Sequence, residues 1–80
     1  MTTDQATIII RESIREAASQ HGRRPSEAHR PNQANKTGLK ARNLAIRTAR
    51  AQGIPVHFLA HAFGLSRETI QKALREEVAV

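Results

Sequence analysis

The feature that most constrains the fold of this chain is that none of its 80 residues is a cysteine. Disulfides and thiolate-bound metals, which stabilise many small domains, therefore cannot contribute. A chain this short buries little apolar surface, so it is stable only as a compact helical unit or in an oligomer. A single small domain is expected, too small to enclose a large active site.

The sequence also restricts where the protein is expected to be found. No apolar run approaches the roughly 18 residues that span a bilayer. The start of the chain, residues 1–4, lacks the basic and then apolar order of a signal peptide. We therefore expect a cytoplasmic protein that does not enter a membrane.

The positive charge is concentrated in the middle of the chain. Residues 21–50 hold eight basic residues against Glu27 alone, a net charge of +7, whereas residues 1–20 carry −1 and residues 51–80 carry 0. The basic residues are Arg23, Arg24, Arg30, Lys36, Lys40, Arg42, Arg47 and Arg50. A basic stripe of this kind predicts a polyanionic partner.

Residues 4–20 predict an N-terminal helix. Asp4 can cap its first turn, Gly22 can end it, and apolar residues recur at helical spacing at Ile10, Ile14 and Ala17. The alternative is a short strand, because residues 7–10 are a β-branched run that could pair with its copy in a dimer.

Residues 21–38 contain two prolines, many polar residues and almost no apolar ones, which predicts a basic flexible arm or linker. Gly22–Pro25 resembles the short basic arms that enter the minor groove of A·T-rich DNA. The alternative is a cationic tether that adds phosphate affinity without reading sequence.

Three further helices are predicted after the arm. The first covers residues 39–52, with an apolar face and a polar face, and Gly53 ends it. The second has Pro55 in its first turn and reaches Gly64. The third begins at the N-cap Ser66 and continues to Glu76, with Glu68 in its first turn and Ile70, Ala73 and Leu74 buried.

The order of small and apolar residues in the last two helices limits how these helices can pack. Ala60 is expected where the helices cross and must be small, and Gly64 can adopt the left-handed conformation of a sharp turn. The apolar residues Leu59, Phe63, Leu65, Ile70 and Leu74 are then expected to close a small core with Leu44, Ile46 and Ile54.

Ala60, Gly64 and Ile70 fall at the positions where the helix-turn-helix family has its small residue, turn glycine and buried branched residue. Residues 54–76 resemble the DNA-binding modules of resolvases and transposases, and "LSRETI" is similar to the recognition region of sigma factors and some replication initiators. The expected fold is all-α: a three-helix helix-turn-helix domain at 39–80, preceded by a separate N-terminal helix at 1–20 and the linker at 21–38.

The resemblance implies that the last helix lies in the major groove of double-stranded DNA. Helical periodicity then assigns base reading to Ser66, Arg67, Glu68, Thr69, Gln71, Lys72 and Arg75. Contacts with the DNA backbone or minor groove are assigned to the eight basic residues of segment 21–50 and to His57. The few aromatic residues favour duplex DNA over single strands.

No group of residues has the spacing expected of a metal site or a catalytic site. His57 and His61 stand one helical turn apart, but the sequence between them lacks the glutamate of the zinc-protease motif, so we expect no metal site. No Ser, His and Asp arrangement, phosphate loop or carboxylate cluster indicates catalysis. We expect no cofactor, no small-molecule ligand and no enzymatic activity.

The sequence thus predicts a small, sequence-specific transcription regulator associated with the nucleoid. Ile8, Ile9, Ile10 and Ile14 are too apolar to leave exposed on a tethered helix, which predicts a homodimer through residues 4–20. One alternative is an interaction protein whose residues 4–20 dock on RNA polymerase, a recombinase or a replication protein. Another is a nonspecific architectural DNA binder.

Overall fold

Five helices follow one another in residues 1–76, the part of the chain that the computed structural model describes; of Glu76 it describes only the backbone. They are α1 (Thr3–Gln20), α2 (Pro25–His29), α3 (Lys36–Ala51), α4 (Val56–Phe63) and α5 (Arg67–Glu76). No strand occurs in the described residues, which confirms the all-α class. The last four residues of the predicted 39–80 domain lie outside the described range.

Helix α1 begins one residue earlier than predicted and uses a different cap. The Thr2 hydroxyl accepts from the Gln5 backbone N–H at 3.2 Å, and the Gln5 side chain accepts from the Thr2 N–H at 2.9 Å. This reciprocal pair satisfies two N–H groups that a single Asp4 cap would have left to water. Asp4 lies in the first turn, where its charge complements the positive helix end.

The β-branched run at residues 7–10 is helical, so the strand alternative is wrong. A β-branched residue costs a helix about 0.5 kcal/mol relative to alanine, whereas burying an isoleucine contributes about 1.5–3 kcal/mol. Ile10 is 5% exposed and packs in the core, as does Ile14. Tertiary packing therefore outweighs local propensity in this segment.

Segment 21–38, predicted as a flexible linker, contains helix α2 and the first turn of α3. Glu27 joins them: its carboxylate accepts from the Arg24 backbone N–H at 3.3 Å and from Asn35 Nδ2 at 3.1 Å. Asn35 in turn caps α3, because its Oδ1 accepts from the Gly38 N–H at 2.8 Å. The segment differs from the prediction because polar hydrogen bonds, which hydropathy does not reveal, hold it in place.

Helix α1 is not separate from the rest of the chain, in contrast to the prediction. Its most extensive contact is with α3, and both helices bury alanines, which let helix axes approach closely: Ala6, Ala17 and Ala18 in α1 and Ala41, Ala45 and Ala49 in α3. The radius of gyration of 11.4 Å is close to the value of about 12 Å for a compact domain of this length.

The packing of α1 on the rest of the chain buries part of the surface on which the predicted dimer depends. Ile10 and Ile14, expected at an interface between two copies, are buried within the chain. Ile8 is 52% exposed and Ile9 is partly buried, so these two remain near the outer surface of α1. Their apolar surface is smaller than the four-isoleucine face that motivated the prediction.

Candidate nucleic-acid interface

Helices α3, α4 and α5 surround a core that contains most of the expected residues. Ile46, Ile54, Leu59 and Ile70 are fully buried and Phe63 is 3% exposed. Leu44, Leu65 and Leu74 are partly buried and pack against this cluster. Helix α5 contacts both α3 and α4, so one side of it is fixed against the rest of the protein.

The connection between α4 and α5 is a tight turn of three residues, Gly64 to Ser66. Gly64 has φ 66° and ψ 36°, the left-handed conformation expected from the sequence. The Leu65 N–H donates to the Ala60 carbonyl at 2.9 Å, and the Gly64 N–H donates to the His61 carbonyl at 3.3 Å. These two bonds satisfy two of the last four carbonyls of α4 and fix the direction in which the chain leaves it.

Ser66 then starts α5, as the sequence predicts. Its hydroxyl oxygen accepts from the Thr69 backbone N–H at 3.2 Å and lies 2.9 Å from the Thr69 hydroxyl. The side chains of both residues are therefore engaged in capping. Ser66 is exposed and Thr69 is half-buried, so both remain accessible at the leading end of the helix.

The outer face of α5 carries the other predicted base-reading residues. Ile70 and Ala73 point into the core, whereas five polar side chains are exposed: Arg67, Glu68, Gln71, Lys72 and Arg75. A shallow surface depression is lined by Glu68, Thr69, Gln71, Lys72 and Arg75. Among the described side chains, those of residues 1–75, none of the charged groups on this face forms an ion pair.

Helix α3 presents a basic face along its length. Lys36, Lys40, Arg47 and Arg50 recur at helical spacing, and Lys36, Lys40 and Arg50 are exposed. From Lys36 to Arg50 the helix rises by about 21 Å. Arg42 lies off this face and donates from Nε and Nη2 to Asn43 Oδ1, at 3.2 and 3.1 Å.

The three arginines of the expected arm have different surroundings. Arg23 pairs with Glu27, Nη1 to Oε2, at 3.5 Å, and Arg24 is exposed. The Arg30 guanidinium lies beside the turn before α5, since a Cβ on Gly64 would be 3.5 Å from Arg30 Nη2. Arg30 is thus brought close to the turn between α4 and α5, a placement that the sequence did not predict.

His29 has a role that the sequence did not predict. Its Nε2 lies 2.7 Å from the Ala62 carbonyl oxygen, and its ring meets the Phe63 ring edge-on at a centroid distance of 5.5 Å. His29 therefore ties α2 to the last turn of α4. A histidine in a polar segment gives no sequence signal for such a contact, because its partner is a backbone carbonyl.

The two histidines of α4, His57 and His61, are exposed. The side chains of residues 1–75 include no group of three or more His, Cys, Asp or Glu that could hold a metal ion. None of the helices in this range has the length and apolar character needed to cross a membrane.

Comparison of the chain with protein families, with curated protein sequences and with solved structures gives no match.

Proposed function

We propose that this protein is a sequence-specific binder of double-stranded DNA, a small transcription regulator with a helix-turn-helix unit. The observation that carries the proposal is the geometry of α5. Its inner side is fixed against α3 and α4, whereas its outer side exposes long polar side chains directly after a tight turn. A helix held in this way can enter the major groove without losing its contacts with the core.

The outer face of α5 has the chemistry for reading base edges. Arg67, Lys72 and Arg75 can donate to guanine, and Gln71 can pair with adenine. Glu68 can accept from the amino group of cytosine or orient a neighbouring arginine. Ser66 and Thr69 would contact bases or phosphates at the leading end of the helix.

Contacts with phosphates are assigned to the basic residues around this helix. The Arg30 guanidinium lies beside Gly64 in the turn, and His57 is exposed in the first turn of α4. The basic face of α3 supplies Lys36, Lys40, Arg47 and Arg50, and Arg23, Arg24 and Arg42 add charge nearby in the sequence. Such contacts position the protein but carry no sequence information.

In this proposal the protein acts as a homodimer in the cytoplasm, associated with the nucleoid. Two copies would place their α5 helices in successive major grooves, about one helical turn of DNA apart. Ile8 and Ile9 are the apolar residues of α1 that remain near the surface for such an interface. A sedimentation mass of one chain at tens of micromolar would exclude this part of the proposal.

A pair of matched double variants tests the DNA surface. We expect the Arg67→Ala/Lys72→Ala variant to bind a labelled mixed-sequence duplex much more weakly than the wild type in fluorescence anisotropy. The Arg11→Ala/Arg15→Ala variant removes the same charge from exposed positions of α1 and should bind almost as the wild type does. Equal weakening in both variants would mean that the DNA affinity depends only on the net charge of the protein and not on the outer face of α5.

The basic face of α3 favours a second candidate, a nonspecific architectural DNA binder. The lysines and arginines of that face can attract any duplex through its phosphates. This function predicts the same affinity for all sequences and no dependence on Gln71. The other alternative, an interaction protein, predicts no duplex binding at near-physiological salt.

A further inference from the structure

A groove on the side of the protein is formed by three helices that are far apart in the sequence. It has a volume of about 680 Å³, within the range of about 300–1,000 Å³ that is typical of binding sites. We call it the α1–α2–α4 groove. Its lining residues are Thr3, Thr7, Arg11, Ile14 and Arg15 of α1, Pro25, Ser26 and His29 of α2, and Phe58, His61 and Ala62 of α4.

The wall of this groove is mostly apolar. Phe58 is part of this wall, and its side chain is only partly buried. Phe58 is half-buried, so part of its side chain faces solvent. An aromatic surface of this kind contributes strongly to binding when a partner covers it. A phosphate backbone cannot supply the apolar group that such a surface requires.

All the ionisable side chains that line the groove are basic. They are Arg11, Arg15, His29 and His61, and among the described residues no Asp or Glu joins them in the lining. Within residues 1–76, neither Arg11 nor Arg15 forms an ion pair. Two exposed guanidinium groups beside an apolar wall therefore complement carboxylates that flank an apolar side chain.

The shape of the groove favours a peptide segment over a compact ligand. Its α1 side extends from Thr3 to Arg15, a rise of about 18 Å along the helix. This length corresponds to about three turns of a partner helix, whose acidic and apolar residues can alternate at helical spacing. A small carboxylic acid would cover only one end of such a surface.

We propose that the α1–α2–α4 groove binds an acidic amphipathic segment of another protein. In this complex, carboxylates of the partner pair with Arg11 and Arg15, and an apolar side chain packs against Phe58. This surface is separate from the outer face of α5, since the two share no lining residue. The protein could then hold DNA and a protein partner at the same time.

A selection experiment with the full chain tests this inference. A phage-displayed library of random peptides of about 15 residues, enough to span the groove as a helix, is selected on the immobilised protein. We expect enrichment of peptides in which two or more Asp or Glu residues flank an aromatic or large aliphatic residue. Enrichment of neutral or basic peptides, or no enrichment, would overturn the proposal.

The site is located with the matched double variants. We expect Arg11→Ala/Arg15→Ala to weaken binding of a selected, labelled peptide about tenfold or more, because two charge-assisted contacts are lost. The control Arg67→Ala/Lys72→Ala should leave the peptide affinity unchanged. Equal effects, or no effect of either change, would exclude the groove as the binding site.

Sedimentation of the same variants tests whether a second copy of the chain, and not another protein, occupies the groove. Both arginines are exposed, so their replacement should leave the fold intact, which the urea midpoint checks. We expect the sedimentation mass to be unaffected by Arg11→Ala/Arg15→Ala. A dimer that dissociates in this variant would mean that a second copy of the chain occupies the groove, and the protein-partner proposal would be wrong.

Discussion

The Nε2 atom of His29 lies 2.7 Å from the carbonyl oxygen of Ala62, so that a single side chain joins α2 to the end of α4. A carbonyl oxygen only accepts, so Nε2 carries the proton in this contact. The edge of the same imidazole ring packs against Phe63, which is in the core. His29 thus helps to hold the Arg30 side chain beside the turn that leads into α5.

Replacing His29 tests the importance of this contact for stability. We expect His29→Ala to lower the free energy of unfolding by about 1–3 kcal/mol, because a hydrogen bond and an aromatic contact are lost. Urea denaturation followed by circular dichroism measures the change. The control His57→Ala removes an exposed histidine and should stay within about 0.5 kcal/mol of the wild type. Similar losses in both variants would contradict the structural role of His29.

The tight space around Gly38, between the capping residue Asn35 and α2, offers a second test. A Cβ at Gly38 would lie 2.7 Å from Asn35 Nδ2 and 3.0 Å from the Glu27 carbonyl oxygen. Gly→Ala inside a helix ordinarily stabilises a protein, but here we expect a loss of about 1–3 kcal/mol. Lys40→Ala, on the exposed side of α3, should change little. A stabilised Gly38→Ala variant would show that Asn35 and the Glu27 carbonyl do not lie this close to Gly38.

The close packing of the buried side of α3 can be tested by a matched pair of enlargements. Ala45 is fully buried and Ala51 is exposed, and both lie in α3. We expect Ala45→Leu to destabilise the protein by about 1–3 kcal/mol, because the larger side chain forces the helices apart. Ala51→Leu should have little effect on the urea midpoint. If both variants are equally stable, the core around Ala45 is not closely packed.

Base reading and phosphate binding predict different effects on specificity. We expect Arg75→Ala to relax the preference for particular base pairs by about 1–3 kcal/mol while other positions stay selective. Lys36→Ala, on the basic face of α3, should weaken binding to all duplexes by a similar factor. Competition assays with single-base-pair variants of the best site measure both effects. A uniform loss in the Arg75 variant would argue against base reading.

The parts of the fold that the sequence predicted correctly are those with a strong local signal. Gly64 and Gly53 end helices, Ser66 caps α5, and apolar residues at helical spacing mark the buried sides of α3, α4 and α5. The exposed face of α5 follows directly from this periodicity, because the residues opposite the core must face outwards.

The docking of α1 and the order in segment 21–38 could not be predicted in the same way. Alanines give a weak hydropathy signal, although close helix contacts depend on their small size. Glu27, His29 and Asn35 are polar residues whose partners lie elsewhere in the chain or on the backbone. The α1–α2–α4 groove combines residues from three helices, so no local pattern marks it.

The central claim is that α5 reads DNA sequence, and selection of binding sites from a random duplex library at near-physiological salt tests it most directly. We predict an enriched motif, bound much more tightly than scrambled DNA, with half-sites about one helical turn apart if the protein is a dimer. Tight, salt-sensitive binding without an enriched motif would contradict sequence reading and indicate an architectural role. Absence of duplex binding would contradict the proposal that this protein acts on DNA.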